Sequence, residues 1–186
     1  MKKYELTSET KVFLGKTLYR IKALVQFGNV NAGDLGGWIE KEENLSQYGN
    51  AWVSGNAEVS GNARVYGNAV VYGNAGVDGN AWVSGNAEVY GNAEVSGNAR
   101  VSGNAEVCKI GTVFWIGAIG SRNGTTTFFR CKDGKIYVSC GCFLGDLEEF
   151  SDKVKQTHGD NEHGRVYMLA IEMAKARIVE EKNEVH

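Results

Sequence analysis

Apolar and polar positions recur along the middle of this chain with a period of six. Between Tyr48 and Val107 a valine stands at positions 53, 59, 65, 71, 77, 83, 89, 95, 101 and 107, and the triplet Gly-Asn-Ala occurs ten times, from Gly49-Asn50-Ala51 to Gly103-Asn104-Ala105. The repeating unit is Val-x-Gly-Asn-Ala-x. A six-residue period fits neither one face of an α-helix nor a simple hairpin, but it suits a parallel β-helix with three short sides per coil. Valine and alanine then point inward, the branched side chain filling the prism and the small one fitting near the corner. Gly-Asn makes the corner, because both residues enter the positive-φ region readily. Three hexapeptides make a coil of about 18 residues, so ten triplets predict a little over three coils stacked at about 4.8 Å.

This geometry sorts the outward side chains into columns 18 residues apart. Arg64, Trp82 and Arg100 share one, a predicted cation–π stack. Tyr72 and Tyr90 share another, with Ser54 before and Cys108 after them. Tyr48 and Tyr66 adjoin in a third, and Trp52 and Val70 share a fourth with Glu88 and Glu106. Two readings stand: a solvated or self-associating face, or a groove for a planar ligand at a subunit boundary.

Outside the repeat the period changes. In residues 1–46, Tyr4-Glu5-Leu6 and the run Leu18 to Val25 read as strands, and the glycine-rich bend Asn31 to Ile39 delivers Trp38 and Ile39 onto an apolar surface. This segment is predicted to be a β cap over the first coil, which would otherwise expose strand edges. After the repeat, Gly111 to Gly117 reads as a strand. The runs Thr125 to Cys131 and Lys135 to Cys140 flank the hairpin signal Lys132-Asp133-Gly134. A helix is predicted from Leu147 to about Thr157, with Asp146 as N-cap and Glu149 completing a capping box. A second runs from about Asn161 to Glu181, with Asp160 as cap and Tyr167, Ala170, Ile171, Ala174 and Ile178 on its packing face. The expected architecture is mainly β: an N-terminal β cap (1–46), a β-helix of about three to four coils (47–108) and a C-terminal β-β-β-α-α unit (109–186).

Composition removes some function classes. The 186 residues carry a formal net charge of −2 and a sequence pI of about 6.0, so no bulk electrostatic pull toward a nucleic-acid polymer or an anionic membrane is expected. No apolar run approaches the roughly 20 residues that span a bilayer, and Met1 to Leu6 lack the apolar core of a signal peptide, which makes the cytoplasm the expected compartment. Proline is absent, leaving turns to the 25 glycines and to asparagine. All four cysteines (108, 131, 140 and 142) follow the repeat, unlike a secreted disulfide framework.

Three stretches could carry chemistry. Cys131 and Cys140-x-Cys142 with His158 and His163 offer the donor types of a zinc site, although two cysteines two apart on a strand equally describe small core residues. The loop Gly120 to Thr126 presents Ser121, Arg122 and Thr125 beside glycine amides, the groups that hold a phosphate or carboxylate. Thr157 to His163 bridges the two helices and sets His158, His163 and Arg165 around the start of the second. Together Ser121, Arg122, Thr125, His158, His163 and Arg165 form a candidate pocket for a small anionic ligand.

The Val-x-Gly-Asn-Ala-x units resemble the left-handed parallel β-helix of the hexapeptide-repeat superfamily. Lys3 to Leu6, Ala32 to Ile39 and Asn44 to Gln47 are similar to the start of bacterial and prophage proteins labelled hexapeptide transferases. Trp115-Ile116-Gly117, Gly120-Ser121-Arg122, Cys140 to Phe143 and Thr157 to Asn161 resemble a tail found on phage and prophage proteins. The superfamily resemblance implies a homo-oligomer, a trimer above all, and, in its acyltransferases, an active site between subunits served by a histidine base on or beside the coils. This chain has no histidine before His158, the others being His163 and His186. An acetyl-CoA-dependent transferase would therefore need His158 or His163 to swing in from the C-terminal unit. The phage-type resemblance implies instead a cofactor-free oligomeric binding protein in the bacterial host cytoplasm, one that sequesters a small anionic or nucleotide-like ligand in counter-defence. A rigid rod presenting the C-terminal cap to a protein partner is the third expectation.

Overall fold

A computed structural model describes residues 1–109 and 111–178. The chain opens with an antiparallel hairpin, β1 (Tyr4–Phe13) and β2 (Lys16–Ala23), turned at Leu14 and Gly15 with φ of 48° and 77°. β3 (Leu35–Ile39) pairs antiparallel with β2. A 3-10 turn at Glu42–Asn44 leads into ten two-residue strands: β4 (Trp52–Val53), β5 (Glu58–Val59), β6 (Arg64–Val65), β7 (Val70–Val71), β8 (Gly76–Val77), β9 (Trp82–Val83), β10 (Glu88–Val89), β11 (Glu94–Val95), β12 (Arg100–Val101) and β13 (Glu106–Val107). Each of these pairs in parallel with the strand 18 residues away, valine on valine, and three sheet faces result.

The repeat chemistry explains the regularity. Every repeat valine and alanine is buried, forming one continuous core. The corner glycines have φ of 64° to 74°, and their backbones stack so closely that a Cβ on Gly85 would lie 2.8 Å from the Gly103 nitrogen. Beside them the corner asparagines form three ladders in which each side-chain amide donates to the carbonyl oxygen of the asparagine 18 residues on. Asn50, Asn68, Asn86 and Asn104 make the first, Asn56, Asn74 and Asn92 the second, and Asn62, Asn80 and Asn98 the third, at 3.1–3.3 Å.

The N-terminal segment does more than cover the first coil. β3 also pairs in parallel with β5, Trp38 on Glu58 and Ile39 on Val59, while Leu45 bridges Val65. Ile39 and Leu45 thus fill valine positions of the opening coil, and the hairpin extends one face into a six-stranded sheet, β1-β2-β3-β5-β8-β11. Trp52, expected on an outward column, is only 5% exposed: Tyr4 and Phe27 pack edge-on against it at 6.4 and 5.3 Å. Lys3 is drawn in with them, donating to the Ala51 carbonyl at 2.8 Å, and burial lowers its pKa to about 8.

The C-terminal unit is an antiparallel sheet of β14 (Val113–Ile119), β15 (Gly124–Arg130), β16 (Ile136–Cys140) and β17 (Phe143–Asp146), followed by α1 (Leu147–His158) and α2 (Glu162–Arg177). Strand alternation divides β15 between two cores. Phe129 and Cys131 join the core of the coils, and the Arg100 amide donates to Thr127 Oγ1 at 2.9 Å. Phe128 packs the other way, with Val138, Phe150, Tyr167 and Ile171 beneath the helices. The sheet therefore stops the open last coil with one face and carries the helices on the other.

Two sequence expectations are corrected here. The order is β-β-β-β-α-α, because Phe143–Asp146 adds a fourth strand paired with β16. The cap of α2 is Asn161, whose side chain accepts from the Gly164 amide, and not Asp160. Asp146 caps α1 through the Glu148 and Glu149 amides, with Glu149 reaching back to close the box. The expected end of the second helix at Glu181 lies outside the described residues. Among the described residues no helix is long and apolar enough to cross a membrane.

Candidate functional site

Four segments meet at one end of the sheet and helix layers. The first is the turn after β14. The β14 and β15 pairing slips between Ile116 and Ile119, and Ala118, Gly120 and Asn123 take φ of 56°, 70° and 46°, so the turn is re-aimed toward α2. Glycine is required at 120, since a Cβ there would run into the Tyr167 phenol. The second segment is the turn after β16, where Gly141 has φ of 61° and a Cβ would stand 3.3 Å from the Arg122 guanidinium. Arg122 thus folds back over this turn.

The helices supply the rest. Tyr167, on α2, is buried with its hydroxyl 3.6 Å from Cys140 Sγ, and Thr126 Oγ1 donates to the same sulfur at 3.2 Å. Burial first, then the bond to Cys140 and its charge, push the Tyr167 phenol up to about 12, with Arg122 pulling in the other direction. The phenol is therefore neutral near pH 7. His158 closes α1; its half-buried ring lies 5.7 Å from His163 and 5.7 Å from Tyr167. Gly164 lets the two helices approach this closely, because a Cβ there would collide with the Gly159 carbonyl.

Of the residues singled out in the sequence, Arg122, His158 and His163 thus gather around Tyr167, and Ser121 lies exposed on the Gly120 turn. Thr125 does not join them: alternation along β15 places it with Thr127 and Phe129 on the coil side. Arg165 is exposed, its Nη1 donating to the Asp160 carbonyl at 3.0 Å, so it fastens the interhelical turn. Cys140 and Cys142 do not share a strand face, since Cys140 ends β16 and Cys142 is exposed in the following turn. Among the described residues no group of three or more His, Cys, Asp or Glu is placed to hold a metal. Tyr167 was legible in the sequence only as a packing residue. Its signal as a polar organiser is that a buried phenol hydroxyl needs a partner.

Chemically the cluster offers a guanidinium, two imidazoles and turn amides, all donors or potential donors to an anion, around a neutral phenol. The aromatic columns on the coils are less open to a planar guest. Tyr72 and Tyr90 stack on each other at 5.0 Å and 5°, and their hydroxyls donate to Glu88 at 3.3 Å and Glu106 at 2.6 Å. Lys132 also pairs with Glu88, which explains how like charges one rung apart are tolerated.

Known proteins resemble the coils. A family model described as a YdcK β-solenoid repeat matches residues 57–73 and 63–79. A protein of Escherichia coli (strain K12) named uncharacterized acetyltransferase YdcK is 38% identical over 61 residues, a match that spans 28% of this chain and 19% of that protein. The chain therefore covers about a fifth of the length of this relative.

Proposed function

We propose that this protein is a β-helix scaffold whose C-terminal unit binds a small anionic ligand at Arg122, His158 and His163, holding it without turning it over. The observation that carries the reading is the convergence of the β14–β15 turn, the β16–β17 turn and both helices on Tyr167. A guanidinium forks onto a carboxylate or phosphate, and an imidazole pair beside it adds further N–H donors.

Acyl transfer is the second reading, favoured by the likeness of the coils to a protein named as an acetyltransferase. No histidine lies on the coils, so the general base falls to His158, within reach of the same anion site. Thermal-shift titrations with adenosine monophosphate, inorganic phosphate and acetyl-CoA, run on the wild type and on Arg122→Ala, test both. Stabilisation by adenosine monophosphate or phosphate that Arg122→Ala abolishes supports binding. Stabilisation by acetyl-CoA alone, lost in His158→Ala and accompanied by release of free CoA with an amine acceptor, replaces binding with transfer. No shift with any of the three removes the site.

A further inference from the structure

Charge on the coils is sorted by face. The residue before each repeat valine points outward, and the acidic ones, Glu58, Glu88, Glu94 and Glu106, all lie on the β5-β8-β11 and β4-β7-β10-β13 faces. The β6-β9-β12 face carries both arginines in the column Arg64, Trp82, Arg100. Six residues earlier at every level, the first face reads Glu58, Gly76, Glu94. One column is cation, bulk, cation; its neighbour at the same height is anion, gap, anion.

The shapes match the charges. Over Gly76, where an added Cβ meets nothing within 4 Å, lies a groove of about 560 Å³ rimmed by Glu58, Asp78 and Glu94 and walled by Phe13 and Leu14 of the hairpin, which are 45% and 79% exposed. On the opposing face Trp82 stands 37% exposed, with the Arg100 guanidinium 5.0 Å over its ring and Tyr66 edge-on at 6.1 Å. Stacking on the indole holds the Arg100 fork in place for a carboxylate. Glu58 already pairs with Lys11 at 2.6 Å, whereas Glu94, Arg64 and Arg100 make no ion pair among the described residues.

We propose that a second copy of this chain seats its Arg64-Trp82-Arg100 face in the Glu58-Gly76-Glu94 groove, with the two coils parallel and level. Trp82 enters the gap over Gly76, Arg100 meets Glu94 and Arg64 meets the Glu58 and Lys11 pair. The contact is head to tail: each copy gives one face and receives on another, so association continues past a dimer until a ring closes.

Sedimentation velocity on the full chain over a range of concentrations tests this. The wild type is expected to associate beyond a dimer. Arg100→Glu and Glu94→Arg each weaken association by about tenfold or more, and the double variant Glu94→Arg/Arg100→Glu restores it by recreating the pair in the opposite sense. Gly76→Trp fills the groove at a position with open space and leaves a folded monomer, with an unchanged far-ultraviolet spectrum. A wild type that is monomeric at every concentration overturns the proposal, and a small molecule found on that monomer by native mass spectrometry names a different occupant. So does association that ignores both Arg100→Glu and Gly76→Trp, or a double variant as weak as the single ones.

Discussion

The coils and the C-terminal unit bury their apolar surface by opposite means. In the coils each strand is two residues long, and its neighbour within the coils is the strand 18 residues away, so one valine, one alanine and one Gly-Asn corner are used over and over. In the C-terminal unit no contact repeats: Phe128, Val138, Phe150, Tyr167 and Ile171 each fill a different gap. The first plan yields a stiff body whose surface is organised only in columns. The second can bring unlike groups from distant segments to one point, as it does around Tyr167. The candidate anion site lies where repetition stops for that reason, while the coil faces are suited to broad, periodic contact.

The junction is where the two regions depend on each other most. Phe129, fully buried, belongs to the C-terminal sheet yet packs in the core of the coils. Phe129→Ala is expected to cost about 3–5 kcal/mol in urea unfolding and to lower the stability of both regions together. If only the C-terminal unit loosens, the two are independent bodies. Within the coils, Gly85→Ala forces a left-handed alanine against the Gly103 backbone and is expected to cost about 2 kcal/mol or more, measured the same way. Asp146→Ala removes the cap of α1 at about 1 kcal/mol and should leave the coil transition unmoved. Asn86→Ala breaks one ladder in the middle on an exposed corner, at about 0.5–1 kcal/mol.

A pH dependence stands apart from these substitutions. Lys3 titrates near pH 8 when folded and near 10.5 when unfolded, so the unfolded chain binds the extra proton in that window and stability rises with pH from about 8. Cys131 opposes it above about pH 9, where burial pushes the folded thiol up to about 12, and Tyr4 above about pH 10, where burial and then Glu42 and Glu43 raise the phenol well above its ordinary value; in both cases the unfolded state gains by ionising. Lys3→Met should flatten the rise between pH 8 and 10 in unfolding experiments; an unchanged slope assigns it to another group.

What the sequence disclosed follows the same division. The 18-residue columns were legible because a strict period fixes register: Arg100 does stack on Trp82, and Tyr72 does stack on Tyr90. Burial of Trp52 was not, since Tyr4 and Phe27 reach it across contacts that no period encodes. β17 was hidden because its inward positions are Phe143 and Gly145, the second without a side chain, and Leu144 between them is exposed, so Phe143-Leu144-Gly145-Asp146 shows no apolar alternation. Thr125 was grouped with Arg122 by proximity in the chain, whereas the face it takes depends on where β15 begins. That Arg122, His158 and His163 meet could be guessed only from residue type; the phenol that gathers them is set by packing.

The corner asparagines and glycines have one more consequence. Every hexapeptide contributes one side of the prism and the same corner, so a chain with one hexapeptide fewer would keep its core and its ladders in register. Its C-terminal unit would, however, face a third of a revolution away from its present bearing relative to the hairpin. A chain lacking three would keep the bearing and bring the two ends closer by about 4.8 Å. The count of hexapeptides therefore works as an indexing dial, and a family of deletions in steps of six would point the Arg122 turn in three directions in rotation while leaving each end intact.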